Sequence, residues 1–446
     1  MDRDKEQEIE VPVAGIDHPH DHQHHHHHGH HHHRSRQKKK RRSRNKILAF
    51  VMEHKMQLAG VAVALGILIF LVVLIFQETA ANRKAMGALA DGTGQTTPPL
   101  RQEVELTPLT VRLPWLPEEV ELTGAPVRTL LEHDGSVTAG KLLESYRKEN
   151  DRLDVGLPVE LSFDVVSLPL GERVVDSRVD VWPEGEPDGK QSFGLGANRR
   201  SLSLTGLRTG ATYRYEITVI LSGDTEHTVG GTFRTAASPR ILSVGGIRDV
   251  RDLGGWTTVS GKTLRQGLLY RGSELDGAVE DHLKITDTGR QEMLSRFGIR
   301  ADLDLRDTGT GTNALGANVQ HIYFGMPAFG GIFSEEGKAP VRQLFGTLAD
   351  PDAYPVYLHD TYGVDRTGTA CYLLQALLGV GEEDLIREYE LSALAYETVD
   401  RTDLEDLTGV LMAYGGADLM ENVELYLQSA GVTQDQIEAI RQIWLY

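Results

Sequence analysis

The sequence predicts an α/β domain, a central sheet flanked by helices, preceded by a small all-β module and by one transmembrane helix. Three observations carry that expectation. The apolar stretch from Tyr354 to Leu358 runs into a loop containing Gly363 and then into a helix over Thr367 to Val380, the strand, loop and helix order of an α/β sheet. Period-two alternation recurs between residues 157 and 237, as in strands with one buried face. Leu58 to Phe76 holds 19 residues without a charge, long enough to cross a bilayer as a helix.

Residues 1–46 form a His-rich, basic tail with nothing to build a core from, so it is expected to be disordered. Twelve of the 18 histidines lie here: His18, His20, His22, His24, His25, His26, His27, His28, His30, His31, His32 and His33. Neutral imidazoles at this density bind Zn²⁺, Ni²⁺ or Cu²⁺, which makes a divalent metal a candidate partner, by function or as adventitious affinity. Residues 47–76 read as the anchor. Nine Lys/Arg between Arg34 and Lys46 stand against only Arg83 and Lys84 shortly after the span, which by the positive-inside tendency puts the N-terminus in the cytoplasm and everything after residue 77 outside a cell membrane crossed once. The alternative is a cleaved signal peptide; the distance of the basic region from the start and the length of the apolar run favour an uncleaved anchor. Residues 77–104 include an Ala-, Gly-, Thr- and Pro-rich linker.

The first 46 residues carry 11 Lys/Arg against 7 Asp/Glu, a net +4, leaving −22 on the remainder of a chain of net charge −18. An acidic ectodomain is a poor nucleic-acid binder, and none is expected as a partner. The one cysteine allows no internal disulfide, which for an exported chain suggests a bacterium that does not rely on oxidative folding outside the membrane.

Residues 105–237 read as the β module. Val159, Leu161, Phe163 and Val165 alternate, as do Val179 and Val181, and Tyr213, Tyr215, Ile217, Val219 and Leu221. Leu109 to Leu113 or Val120 to Leu122 is expected to supply a first strand, and Ala139 to Asn150 a helical insertion. The segment from Leu202 to Tyr215 resembles the corner between the fifth and sixth strands of fibronectin type III domains, with a tyrosine placed like the tyrosine corner of such sandwiches, and Gly230 to Thr235 resembles a closing strand. The resemblance implies a fibronectin III-like sandwich acting as a spacer or a docking domain.

In residues 238–446 the informative stretch is His359-Asp360-Thr361-Tyr362-Gly363-Val364-Asp365-Arg366-Thr367-Gly368. After a buried strand, a tight turn aims successive N–H groups and a helix N-terminus at one spot, which attracts an anion. Arg366 can add a planar fork matched to two phosphate oxygens, Gly363 frees the backbone to turn, Thr367 can hydrogen-bond inward, and Gly368 permits close packing. The stretch resembles the loop of the bacterial tyrosine and dual-specificity branch of the cysteine-dependent phosphatases, HC-x-x-G-x-D-R-T-G, with Asp360 where the cysteine belongs. Arg251-Asp252-Leu253-Gly254-Gly255, Leu269-Tyr270-Arg271-Gly272-Ser273 and Gly298-Ile-Arg-Ala-Asp302-Leu303-Asp304-Leu305-Arg306 resemble that family's R-D-L-G-G, Y-R-S/G and G-I-x-x-x-x-D-L-R segments, in order.

The resemblance implies a tyrosine-phosphatase fold, a phosphorylated protein or other phosphomonoester as ligand and no cofactor. It gives residue 360 the nucleophile's position, Asp365 proton donation, Arg366 phosphate binding, and Thr361, Tyr362, Gly363, Val364, Thr367 and Gly368 the phosphate loop. His359, Arg251, Asp252, Asp304 and Arg306 are expected to brace it. A carboxylate is a poorer nucleophile toward a phosphate dianion and puts negative charge where phosphate should sit, so the cradle is expected to hold its own carboxylate. Val364 stands where many relatives carry lysine. Cys371 lies on the apolar face of the following helix, roughly 7 Å further along at about 1.5 Å per residue, and is expected to be packing. Aspartyl nucleophiles elsewhere rely on Mg²⁺, and Asp302, Asp304 and Asp307 superficially offer carboxylates, but these residues fit the D-L-R strand better. Two readings compete: a pseudophosphatase that binds without turnover, and a phosphomonoester phosphatase using Asp360 or an activated water near Asp365.

Overall fold

The computed structural model describes residues 103–106, 109–237, 239–306 and 312–445. The predicted tail, span and linker lie outside these residues; among the described residues no helix is long and apolar enough to cross a membrane.

The alternating segments form strands as expected. After the hairpin β1 (Glu103–Leu106) and β2 (Leu109–Arg112), β3 (Glu119–Val120) runs parallel to β10 (Glu226–Thr235). Both candidate first strands therefore exist, on different sheets. One sheet has the order β3-β10-β9-β6-β7, with β6 Val174–Pro183, β7 Gln191–Gly194 and β9 Thr212–Leu221. Opposite it, β4 (Val159–Ser162) pairs with β8 (Ser201–Leu204), and β5 (Asp164–Ser167) pairs with β2. Val111, Leu161, Phe163 and Leu202 meet Val179, Tyr215, Ile217 and Val219 in one core, which is where period two sends them.

The helical insertion predicted over Ala139 to Asn150 forms α2 (Ala139–Leu142) and α3 (Glu144–Glu149), and a further helix not foreseen from the sequence, α1 (Ala125–Glu132), precedes it. The apolar residues of these helices do not enter the sandwich core. Val127, Leu130, Ala139 and Leu143 join the core of the C-terminal domain, and His133 Nε2 lies 2.8 Å from Glu390 there.

The C-terminal domain is a six-stranded sheet of order β11-β12-β13-β16-β14-β15: Arg240–Ile241, Arg251–Asp252, Leu269–Gly272, Val356–His359, Ala301–Asp304 and Gln320–Tyr323. Strands β13, β16, β14 and β15 are parallel, with β16 central and buried along its length. Leu269, Val356 and Leu358 face α6 (Asp365–Leu377), while Tyr270 and Tyr357 face α4 (Asp287–Ser295) with Met293. Every α6 residue from Thr367 onward is buried, so its sequence shows no one-sided stripe. Helices α5 (Glu335–Leu348), α7 (Glu382–Glu390), α8 (Thr402–Leu411), α9 (Leu419–Ser429) and α10 (Gln434–Trp444) complete the domain. The sandwich meets it through Gln266, which bonds Thr209, and Arg240, which donates to Gly206 O.

Candidate functional site

The site sits where β16 leaves the sheet. Parallel strands leave their C-terminal ends open at a crevice, and the loop from Asp360 to Val364 turns there into α6. Four backbone N–H groups converge on the Asp360 carboxylate. Tyr362 (3.0 Å) and Gly363 (2.5 Å) donate to Oδ1; Arg366 (2.8 Å) and Thr367 (3.1 Å) donate to Oδ2. Asp360 is 3% exposed. An oxyanion at the start of a helix, held by successive amides, is the arrangement of an anion nest. It also moves the helix start: α6 begins at Asp365, two residues before the predicted Thr367, because the carboxylate satisfies first-turn donors that would otherwise be orphans. At the other end α6 stops at Leu377, and Val380 instead bridges to Thr258.

The loop is fixed from below. Gly363 has φ +80°, and a Cβ there would come 2.3 Å from Gly272 O, so both its conformation and its approach require glycine. Its carbonyl accepts from Arg271 Nη2 at 2.6 Å. Arg271 also donates to Glu388 (2.7 Å), whose other carboxylate oxygen accepts from Arg251 Nε (2.7 Å); Arg251 further donates to Asp249 and Ser392. This network is entirely buried. On the other side Glu274 N–H donates to Thr361 O (3.0 Å), and the Glu274 carboxylate pairs with Arg306, which also holds Asp276 and Asp304. Leu305 N–H donates to His359 O at 2.9 Å.

Arg251, Asp304 and Arg306 thus reach the loop through partners rather than by contact. Asp252 does not belong to the bracing: its carboxylate accepts from Gly254 N–H, Gly267 N–H and Arg240, because β12 is two strands away from β16. Val364 caps α6, and a Cβ on Gly368 would meet the Tyr389 ring at 2.8 Å. Thr367 Oγ1 is buried with no hydrogen-bond partner among the described residues. Tyr362, 40% exposed, stands at the rim with its hydroxyl on Glu280 and its ring edge-on to Tyr396 at 5.3 Å.

Asp365 is open to solvent at its edge, yet crowding around the carboxyl, then the charges of Asp360 and Asp403, push its pKa up, the direction a proton donor needs. Burial works against a charge on His359, but the adjacent Asp302 outweighs it and lifts the imidazole to about 9. Cys371 is fully buried, and burial pushes its thiol up to about 12, leaving it inert. Among the described residues no three His, Cys, Asp or Glu side chains are placed to hold a metal; Asp302 and Asp304 are held by histidines and Arg306, and Asp307 lies outside those residues.

Residues 242–446 match the family model described as "Tyrosine phosphatase family". These residues are a tyrosine phosphatase family domain. A protein of Cupriavidus necator named "Putative tyrosine-protein phosphatase" is 27% identical over 195 residues, covering 37% of this chain and 68% of its own length. The crystal structure of the core catalytic domain of the PP-IP phosphatase SIW14 from S. cerevisiae, in complex with citrate, aligns with a TM-score of 0.26 at 15% identity, over 32% of this chain and 82% of that one.

Several residues of this phosphatase family domain escape sequence reasoning. Glu388 lies in an acidic helix stretch, Glu382-Glu-Asp-Leu-Ile-Arg-Glu388, that reads as a solvated face. Asp249, at φ +59°, gives no local signal either. Asp302 offered one: in a strand it shares a face with Asp304, so two buried carboxylates needed two sets of partners.

Proposed function

We propose that this phosphatase family domain is a pseudophosphatase: a phosphate cradle retained in shape and filled by its own Asp360 carboxylate, kept for binding rather than turnover. The observation that carries this reading is the convergence of four backbone N–H groups on Asp360, two from the loop and two from the first turn of α6. A phosphoryl group would have to displace a tethered carboxylate that is already fully hydrogen-bonded, and the displaced charge would repel it. The ligand class is a phosphorylated protein or another phosphomonoester, reached only when that carboxylate moves, or a protein surface at the rim around Tyr362. In the second reading Asp360 or a water attacks phosphorus; the raised pKa of Asp365, a ready proton donor, favours it.

The test is p-nitrophenyl phosphate hydrolysis by the purified chain beside Asp360→Cys, with and without Mg²⁺. Turnover only in the cysteine variant is the expected result. Comparable turnover by the natural chain would establish the second reading, and dependence on Mg²⁺ would identify its metal-assisted form.

The same proposal places the domain outside a cell membrane, on a single anchor over residues 58–76 and a fibronectin III-like sandwich. Supporting the sandwich are its strand order and the Tyr213 hydroxyl, which accepts from Arg208 N–H at 2.9 Å and closes the corner. Supporting the anchor are the 19 uncharged residues and the basic flank. Protease digestion of intact cells, expected to remove the C-terminal domains and spare the tail, checks the orientation.

A further inference from the structure

Three neighbouring strands carry a buried acid between two imidazoles. Asp302 on β14 stands in register with His321 on β15. Its Oδ2 lies 3.0 Å from His321 Nδ1 and its Oδ1 3.0 Å from His359 Nε2 on β16. Asp302 and His359 are each 1% exposed, whereas the His321 side chain is 13% exposed at the sheet edge. The acid of the D-L-R segment is Asp304, which is engaged by Arg306, so Asp302 is a second and separate carboxylate.

Two groups bear on the charge of His359. Its Nδ1 lies 3.2 Å from the carbonyl oxygen of Asp360, and its Nε2 faces a carboxylate that also accepts from His321. Both partners are acceptors. Nδ1 is placed to donate to the carbonyl, and Nε2 forms an ion pair with the carboxylate without hydrogen-bond geometry, an arrangement that favours the imidazolium over either neutral tautomer. The other charged groups around it are Asp304 and Arg306 on β14 and His321 on β15; the Tyr357 ring stacks on it at 5.6 Å, and β13 presents only Gly272 at the paired position.

We infer that Asp302 is a positioning residue of the loop: with its carboxylate aimed by His321, it holds His359 by ion pairing as a cation whose Nδ1 donates to the Asp360 carbonyl, and so sets where the side chain of residue 360 enters the cradle. The inference rests on reading the loop as a phosphate cradle, but it requires no turnover. A buried cation next to residue 360 also favours an engineered thiolate there.

The test follows His359 in the intact chain by ring-nitrogen NMR, its signal assigned with His359→Gln. In Asp302→Asn the His359 midpoint is expected to fall from about 9 toward the ordinary value of 6.5. In His321→Gln it is expected to rise, because the carboxylate then answers to His359 alone. These shifts have opposite signs, which a mere packing role would not produce. In the Asp360→Cys background, Asp302→Asn should cut the thiolate fraction near neutral pH about tenfold, read by ultraviolet absorbance, with Asp302→Glu restoring part of it. An unchanged His359 midpoint in both single variants overturns the inference. If Asp302→Asn does not fold, the His321→Gln shift decides. If His359 responds as expected while the thiol introduced by Asp360→Cys titrates as an ordinary thiol in every variant, the coupling of Asp302 to His359 stands and the cradle reading falls.

Discussion

Asp360 behaves as a built-in ligand. Its two oxygens take four N–H groups, so these donors are matched by the chain's own carboxylate. Asp360→Ala removes the acceptor and leaves those donors unmatched. It is expected to cost about 1–3 kcal/mol of stability, the range for stranding buried polar groups. Inorganic phosphate, tungstate or vanadate should restore much of that loss by entering the vacated nest, while leaving the natural chain unaffected. Thermal unfolding of both proteins with and without the anions measures this. Equal stabilisation of both would mean that the carboxylate does not occupy the anion site.

At the scale of elements, the unit is strand, loop and helix supported by a buried ion network. Glu388 on α7 neutralises Arg251 and Arg271 together, and Arg271 passes that support to the Gly363 carbonyl. Breaking such a network by removing one charge leaves the others uncompensated. Glu388→Gln is therefore expected to destabilise the domain by about 3–5 kcal/mol, measured by urea unfolding, and to abolish any activity gained by Asp360→Cys. Activity surviving in the double variant would show that the loop holds its form without the Glu388 carboxylate behind Arg271. The motifs of the sequence located the arginines, but not their common partner, because helix α7 and the strands meet only through the fold.

The whole molecule depends on chain upstream of the family match. Val127, Leu130, Leu143, Leu153 and Leu157 are buried in the C-terminal core, at roughly 2 kcal/mol each by area, against a total stability of about 5–15 kcal/mol for a domain. A fragment starting at residue 238 should thus fail to fold, while one starting at residue 103 should unfold cooperatively; circular dichroism melts separate the two. Stability should also depend on pH in a defined window. The pKa of His359 is raised on folding, so its contribution is complete below the ordinary value of 6.5 and disappears as pH rises through about 9. Urea midpoints should therefore fall between about pH 6 and about pH 9.5 in the natural chain, and much less in Asp302→Asn. Carboxylates with lowered pKa, Asp302 and Glu388, act at the acid end, where their contribution is lost as pH falls through their folded values.

By itself the sequence determined the strand periodicities, the strand, loop and helix order around Asp360, and the motifs along residues 242–446, which match a tyrosine phosphatase family model. These are local properties, written in spacing and side-chain type along one stretch of chain. Tertiary structure decided the rest: that Asp360 takes two loop amides and two from the first turn of α6, that Asp252 serves the turns at Gly254 and Gly267 instead of the loop, that the helical insertion packs into the C-terminal core, and that Asp302 lies between His321 and His359. Each depends on which strands are neighbours and in what register, and pairing across tens of residues leaves no periodic trace in the chain.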